Sequence, residues 1–193
     1  TGVATGMKQV GSISVALTRE RHEELLRQAT VARIFDVEVH EISPQEAKAK
    51  YPHLNIDGVV GAVALPLDGQ CDPANIAMAL AKGARDRGAT IYRNTTVTAI
   101  EQLEDGHWKV TTDKGEIIAE HIISCTGSFA RKTGEMVGID IPVIPVEHQY
   151  IVTEPHPAIL ERRRQGLPEM GVLRESDSAW YMREEAGGLI LGP

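Results

Sequence analysis

The stretch HIISCTGSFARKTGEMVG, residues 121–138, decides the fold class that we predict for this chain. The apolar pair Ile122–Ile123 indicates a buried strand, and the small residues Cys125–Ser128 lead from it into a predicted helix. A strand, a short loop and a helix in this order are typical of an α/β sheet that presents a ligand at the carboxyl ends of its strands. The glycine-rich phosphate loop that such a site also needs is not found in the sequence.

The bulk composition fits a globular protein and excludes several function classes. Of the 193 residues, 42% are hydrophobic and 24% are charged, which are ordinary values. No run of apolar residues reaches the length of a membrane-spanning helix, so we expect no membrane partner. The formal net charge of −7 argues against nucleic acid, because phosphate binding requires a concentrated basic surface.

The cysteines and histidines indicate neither a disulfide framework nor a metal site. The two cysteines, Cys71 and Cys125, form no CxxC motif, so a reducing compartment is expected. Cys125 ends an apolar run, where a cysteine usually behaves as a small buried side chain. The seven histidines show no metal-ligand spacing. We therefore expect no metal, and a location in the cytoplasm or, in a eukaryote, in the mitochondrial matrix.

Local signals predict where several helices begin. Thr18 is expected to cap a helix, and Ser43-Pro44-Gln45-Glu46 combines a capping serine, a proline at the first helical position and a glutamate at the third. Asp72–Pro73 starts another helix in the same way, and Asp105–Gly106 indicates a hairpin turn. Strands are predicted at 8–17, 37–42, 58–67, 90–92, 95–103, 107–112, 116–124, 142–152, 172–174, 180–183 and 189–191.

The order of these elements predicts two interleaved domains in a mixed α/β fold. Residues 71–139 resemble part of a layered domain, and residues 1–70 and 140–193 form a second, mainly antiparallel sheet that it interrupts. The chain ends in the apolar run Leu189–Leu191, which reads as an interrupted strand. We therefore expect the chain to be an internal part of a longer protein.

Four segments spread over nearly the whole chain carry a resemblance to a known family. They are VGSISVALTRERHEEL (10–25), LDGQCDPANIAMALAKGARDRGATIYRNTTVTAI (67–100), IISCTGSFARKTGEMVGIDIPVIPVEHQYIVTEP (122–155) and VLRESDSAWYMREEAGGLILGP (172–193). In order and without large gaps they resemble the middle of the dimethylglycine and sarcosine dehydrogenase family, flavoenzymes of the D-amino-acid-oxidase class. The HQY and YMRE segments are its most specific parts.

The resemblance implies that residues 71–139 belong to an FAD-binding domain. It places the backbone of Val97 near the adenine, and makes Cys125, Thr126, Gly127 and Phe129 a secondary FAD-contact loop. The family often has Ala-Ala-Gly followed by an aromatic residue, commonly tryptophan, where this chain has Cys-Thr-Gly-Ser-Phe. The glycine-rich and C-terminal flavin-contacting segments of the family are not in this sequence, so we do not expect the chain alone to retain FAD.

The resemblance also implies a substrate-binding role for the second sheet. His148 and Tyr150 share one face of a predicted strand, where one of them is expected to tune or accept the amine proton. Tyr181 and Arg183 share a face of another strand, and an arginine fork suits a substrate carboxylate. The alternative for Arg183 is a surface ion pair with Glu184 or Glu185, and Arg174 is a weaker candidate for the same task.

The function implied by the resemblance is oxidation of an N-methylated amino acid by hydride transfer to FAD. The implied partners are a small N-methyl amino acid, a folate domain in the same chain and an electron acceptor. Two alternatives stay open. One is a non-catalytic regulatory homologue, such as the regulatory subunit of pyruvate dehydrogenase phosphatase, and the other is a binding module without a cofactor.

Overall fold

The computed structural model describes all 193 residues, which form two compact units. Unit 1 contains Thr1–Gly83 and His148–Pro193, and unit 2 contains Ala84–Glu147. The chain thus leaves unit 1 and returns to it, with breaks at 83/84 and 147/148 where the sequence analysis placed them at 70/71 and 139/140. The mixed α/β class predicted from the sequence is confirmed.

Ten strands and five α-helices make up the two units. The strands are β1 (Ser12–Ala16), β2 (His40–Ile42), β3 (Gly61–Leu65), β4 (Val97–Gln102), β5 (Trp108–Thr112), β6 (Gly115–Ala119), β7 (Ile151–Val152), β8 (Val172–Glu175), β9 (Trp180–Glu185) and β10 (Gly188–Gly192). The helices are α1 (Arg19–Ile34), α2 (Pro44–Lys50), α3 (Pro73–Arg85), α4 (Ala130–Glu135) and α5 (Pro157–Arg164). No helix combines the length and the apolar character needed to span a bilayer.

A seven-stranded sheet forms the centre of unit 1, in the order β2-β3-β1-β8-β9-β10-β7. All its pairs are antiparallel except β1 with β8. One face packs on helices α2 and α5 through a core that includes Val15, Tyr51, Ile159 and Leu173, each almost fully buried. Helix α1 covers the β1–β3 end of the other face through a second cluster. That cluster consists of Ala16, Leu25, Ala29, Val39 and Val63.

The helix starts predicted from the sequence are confirmed by their capping hydrogen bonds. The Thr18 hydroxyl accepts the Arg21 N–H at 3.1 Å. The Ser43 hydroxyl accepts the Glu46 N–H at 3.2 Å, and the Glu46 carboxylate accepts the Ser43 N–H at 2.7 Å. These bonds satisfy backbone donors that a helix start otherwise leaves unpaired. Asp72 caps α3 in a related way.

Unit 2 contains a three-stranded antiparallel sheet in the order β4-β5-β6, followed by a short 3₁₀ turn at Gly127–Phe129 and by α4. The strand predicted over 116–124 ends at Ala119, and the strand predicted over 142–152 is reduced to β7. Residues 90–92 form no strand. An extended segment becomes a strand only when a neighbour pairs with its backbone, and these segments have no such neighbour within the chain.

Candidate functional site

Alternation along β9 separates core residues from residues on the opposite face of the unit 1 sheet. Trp180 and Met182 pack against the core formed with α2 and α5. Because successive strand residues point to opposite faces, Tyr181 and Arg183 lie on the other side. We call this side over β8, β9 and β10 the open face. Tyr181 and Arg183 are both half-buried.

The strand register places further polar residues on the open face. Arg174 of β8 lies opposite Tyr181, and Tyr181 lies opposite Gly192 of β10. Directly opposite residues of paired strands share a face, so Arg174 belongs to the open face as well. Leu191 pairs with Ile151. Tyr150, which immediately precedes β7, therefore adjoins the Gly192 end of this row.

The structure brings His148 and Tyr181 together, although 32 other residues separate them along the chain. Their rings are nearly parallel, with an interplanar angle of 8° and a centroid distance of 6.4 Å. This distance lies within the range of interacting aromatic pairs. His148 and Tyr150 precede β7 instead of lying within it, and Tyr150 is 60% exposed. Of the residues predicted for the substrate side, His148, Tyr181 and Arg183 thus fall on one region of unit 1.

Gly192 allows the Tyr181 ring to lie across β10. A methyl group built at Gly192 would lie 2.5 Å from the Tyr181 hydroxyl oxygen and 2.6 Å from Cζ. Real Cβ contacts do not reach such distances, so any larger residue would displace the ring. The contact depends on the pairing of Gly192 in β10 with Tyr181 in β9. No feature of the sequence predicts this register.

Arg183 forms an ion pair with a neighbouring glutamate, which is the alternative role predicted for it from the sequence. Its Nη1 donates to Oε2 of Glu185 at 2.5 Å and to the backbone carbonyl of Glu184 at 3.1 Å. The Glu184 side chain faces the core instead, where its carboxylate is almost fully buried. Arg183 is therefore paired with Glu185, and it contacts only the backbone of Glu184.

The loop predicted to contact FAD lies in unit 2. The Thr126 hydroxyl is hydrogen-bonded to the hydroxyls of Ser124 at 3.1 Å and Thr133 at 3.0 Å, which ties the loop to α4. Gly127 has a φ of 53°, in the left-handed region that favours glycine. The prediction of a buried Cys125 is wrong, because its side chain is exposed. The strand predicted to end beside Cys125 stops at Ala119, so the residue does not lie on a sheet.

Phe129 and Val97, the remaining predicted cofactor contacts, both present exposed apolar surface. The Phe129 side chain is 65% exposed, and the ammonium group of Lys132 lies 6.0 Å from its ring centroid. Val97 opens β4 opposite Thr112, and a β-bulge follows between Val97 and Ala99. A bulge leaves one residue outside the regular ladder, which changes the backbone groups available beside Val97.

Unit 2 also contains an apolar cavity of about 320 Å³ that the sequence analysis did not predict. It is lined by β4, β5, α4 and the segments that follow β6 and α4. Its principal lining residues are Ile100, Trp108, Ile122, Thr133, Val137 and Ile141. Elsewhere, no group of three or more histidine, cysteine, aspartate or glutamate side chains is arranged to hold a metal ion.

A family model described as FAD dependent oxidoreductase matches residues 1–193, the whole chain. The chain belongs to this FAD-dependent oxidoreductase family. The resemblance inferred from the four segments is thereby confirmed. Members of the family use FAD, and the relatives described below include dehydrogenases and oxidases.

Curated relatives in the FAD-dependent oxidoreductase family align with the entire chain. Identity is 38% over 193 residues with mitochondrial dimethylglycine dehydrogenase of Rattus norvegicus, of which the chain covers 22%. It is 33% over 197 residues with mitochondrial sarcosine dehydrogenase of Homo sapiens, covering 21%. It is 30% over 194 residues with the mitochondrial pyruvate dehydrogenase phosphatase regulatory subunit of Mus musculus, also covering 21%. The chain thus spans about one fifth of these proteins.

Solved structures support the family fold. The chain matches L-proline dehydrogenase from P. horikoshii with a TM-score of 0.81 and 26% identity, over 97% of this chain and 49% of that protein. It matches glycine oxidase from Geobacillus kaustophilus with a TM-score of 0.77 and 27% identity, over 100% of this chain and 50% of that protein. The chain therefore corresponds to about half of a family member's chain in these structures.

The residues of unit 2 fit one part of an FAD site. No atom lies within 4 Å of a Cβ built at Gly127, so this backbone is open to close approach by a cofactor. The exposed ring of Phe129 offers a flat apolar surface two residues further on. The pyrophosphate of a dinucleotide needs a glycine-rich loop at a helix N-terminus, and the sequence contains no such loop. The open Gly127 backbone and the exposed Phe129 ring are the features of unit 2 that fit such a group.

Proposed function

We propose that this chain is the internal part of an FAD-dependent enzyme that oxidises an N-methylated amino acid of the dimethylglycine or sarcosine type. The 38% identity with a dimethylglycine dehydrogenase supports the substrate class. The single structural observation that carries the proposal is the parallel pair of His148 and Tyr181 rings on the same face as Arg183. This face combines a titratable group, an aromatic surface and a cation, which an amino acid substrate requires.

In this proposal the two domains predicted from the sequence have separate tasks. Residues 1–70 and 140–193 form the sheet that binds the substrate, and residues 71–139 supply part of the FAD-binding domain. Cofactor contacts come from Val97 and from the loop residues Cys125, Thr126, Gly127 and Phe129. FAD supplies the redox chemistry when bound, by accepting a hydride from the N-methyl carbon. The exposed Gly127 backbone and Phe129 ring support this assignment.

The residues of unit 1 then position the substrate and control its protonation. Amine oxidation requires a neutral nitrogen, and His148, whose imidazole has a nitrogen that can accept a proton, is the proposed proton acceptor. The Tyr181 ring lies beside the amine in this proposal, and the Tyr150 hydroxyl contacts the amine as it loses its proton. Arg183 contributes positive charge that attracts the carboxylate, although its Nη1 is already hydrogen-bonded to Glu185. A reducing compartment, either cytoplasm or mitochondrial matrix, is proposed for the protein.

Replacement of Tyr150 by phenylalanine in the full-length flavoprotein tests this function. The change removes one hydroxyl from an exposed side chain, so FAD content and stability are expected to stay at parental values. We expect flavin reduction by dimethylglycine or sarcosine to slow by roughly tenfold or more, as for loss of a group that contacts reacting atoms. Stopped-flow absorbance under anaerobic conditions measures the limiting rate.

The regulatory alternative is supported by the 30% identity with a phosphatase regulatory subunit. The same experiment separates the two functions. Whether or not a regulatory homologue binds FAD, no N-methyl amino acid is expected to reduce its flavin. If neither dimethylglycine nor sarcosine reduces the flavin of the parent protein at millimolar concentration, the proposed catalytic function is wrong.

A further inference from the structure

Tyr181 lies between two very different neighbours on the open face. Its directly opposite partner is Arg174 in β8 and Gly192 in β10. Directly opposite residues of paired strands project to the same side, so a side chain at position 192 would share the face with the Tyr181 ring. Glycine leaves that space free. The ring extends over β10, where its hydroxyl oxygen, Cζ and Cε1 come within 2.7 Å of the Cβ position of Gly192.

The position of the Tyr181 ring is set by packing and not by a hydrogen bond. Its hydroxyl makes no hydrogen bond within the chain. The ring lies against the backbone at Gly192 and beside the His148 ring, to which it is inclined by only 8°. Because carbon atoms pack about 3.5–4.0 Å apart, a methyl group at Gly192 would push the far end of the ring away by about 1 Å.

We propose that Gly192 is a positioning residue for the reaction. It leaves the space in which the Tyr181 ring stays parallel to the ring of His148, the proposed proton acceptor. This inference rests on the proposed oxidation of an N-methyl amino acid. The two rings present the amine with a surface of fixed shape, and a displacement of about 1 Å in such a group can slow a reaction roughly a hundredfold. Gly192 itself acts only through Tyr181.

A glycine opposite an aromatic residue can also serve the sheet alone. Glycine weakens a strand, and an aromatic ring that covers it restores part of the lost packing. If stability were the whole role of this pair, a substitution at Gly192 would destabilise the protein and leave the chemistry of the folded molecules unchanged. A double-mutant cycle in the folded flavoprotein separates the two roles.

The cycle consists of Gly192→Ala, Tyr181→Leu and the double variant in the full-length flavoprotein. Leucine lacks the three ring atoms that lie closest to the Cβ position of Gly192, so the double variant relieves the clash. We expect Gly192→Ala to lower the limiting rate of flavin reduction by dimethylglycine roughly tenfold to a hundredfold. In the Tyr181→Leu background the same substitution should change this rate by less than about twofold. An equal change in both backgrounds would overturn the assignment.

Gly61 provides the matched control. It lies in β3 of the same sheet, under α1 and outside the open face. A Cβ at Gly61 would lie 2.4 Å from Nε2 of His22, so alanine would displace an aromatic ring here too. Both Gly61→Ala and Gly192→Ala should lower the free energy of unfolding, and only Gly192→Ala should lower the limiting rate. Equal slowing in the two variants would indicate a general disturbance of the sheet and would contradict the proposal.

Nuclear magnetic resonance of the His148 ring gives a second measurement, which does not depend on turnover. In full-length protein with isotope-labelled histidine, the His148 signal is identified by its loss in His148→Gln. Because a nearby aromatic ring shifts such a signal, Gly192→Ala should move it in the same direction as Tyr181→Leu does. Gly61→Ala should leave it in place.

The two measurements distinguish failure of this assignment from failure of the proposed oxidation. An unchanged His148 signal in Gly192→Ala, or a moved signal with a parental limiting rate, shows that Gly192 is not a positioning residue. If the signal moves but no N-methyl amino acid reduces the flavin of the parent, Gly192 holds the ring and the proposed oxidation is wrong.

Discussion

At the residue scale, the neighbours Glu184 and Glu185 show how strand alternation divides adjacent charges between two environments. Glu185 is partly exposed and pairs with Arg183. Glu184 is buried, accepts the Met170 N–H at 2.8 Å, and lies 3.4 Å from the guanidinium of Arg163. A buried carboxylate is tolerated only with such partners. Both glutamates adjoin Arg183 in the sequence, so the sequence predicts an ion pair with either one.

The reason for this uncertainty is that the deciding contacts are not local. Period-two alternation predicts that the residues next to Arg183 face away from it, yet it does not say which face is the core. Arg163 and Met170 come from α5 and the segment after it, and their proximity to β9 appears only in the folded chain. The buried charge of Glu184 also acts on Tyr51, which is distant in sequence. The pKa of Tyr51 is raised, mainly by burial and to a smaller extent by this charge.

Replacing Glu184 by alanine should strongly destabilise the protein. The change leaves the buried Met170 N–H without an acceptor and removes one of the two carboxylate partners of Arg163, the other being Glu169, at a cost of about 2–3 kcal/mol in the free energy of unfolding. Glu185→Ala, one residue away on the open face, should change this energy by less than about 0.5 kcal/mol. Urea unfolding followed by circular dichroism measures both. Equal losses would mean that the Glu184 contacts contribute no stability of their own.

At the element scale, helices were predicted better than strands. The bounds of α2 follow from Ser43, Pro44 and Glu46, because every interaction that starts this helix is made within four residues. The strands at 116–124 and 142–152 were predicted too long, since apolar composition shows that a segment is suited to pairing and not that a partner exists. The 87% exposure of Ile123 illustrates the consequence.

The capping box of α2 should make stability depend on pH. The hydrogen bonds from the Ser43 backbone N–H and then from its hydroxyl hold the pKa of Glu46 below its ordinary value of 4.5. A carboxyl whose pKa is lowered by folding stabilises the protein above its unfolded pKa, and this stabilisation disappears as the pH falls through the folded pKa. The parent should thus exceed Glu46→Gln in free energy of unfolding at pH 7.

Unfolding curves of parent and Glu46→Gln between pH 7 and pH 3 measure this dependence. The difference between the two proteins should stay constant down to about pH 5 and then shrink toward zero. A difference that is independent of pH would show that the charged form of Glu46 contributes nothing to the cap, and that the side chain acts only as a neutral acceptor.

At the scale of the whole molecule, the sequence predicts two interleaved domains. Residues 71–139 resemble part of a layered domain, whereas the segments before and after them resemble one mainly antiparallel sheet. The structure forms two compact units, of which unit 2 is Ala84–Glu147. The proposal that one domain binds the substrate and the other binds FAD depends on the family resemblance. The 193 residues contain no glycine-rich phosphate-binding motif that would indicate a cofactor by itself. A cofactor site built from several distant segments leaves only weak signals in each of them.

Flavin content in the full-length protein tests whether unit 2 contributes to such a site, and Gly127 is the most informative position. Its φ of 53° favours glycine for backbone reasons alone, so loss of FAD in Gly127→Val would be ambiguous. Asparagine tolerates this conformation far better than valine. Gly127→Asn therefore preserves the turn while placing a side chain where the cofactor is proposed to approach.

We expect both Gly127→Asn and Gly127→Val to lower the ratio of flavin absorbance to protein, and only Gly127→Val to lower the free energy of unfolding by about 1–2 kcal/mol. The structure offers no other cause for flavin loss in the asparagine variant, because nothing lies within 4 Å of the added Cβ. The 193-residue chain alone, which has no glycine-rich phosphate loop, should be colourless and sets the baseline. If Gly127→Asn retains the parental flavin content, Gly127 serves the turn and the loop does not contact FAD.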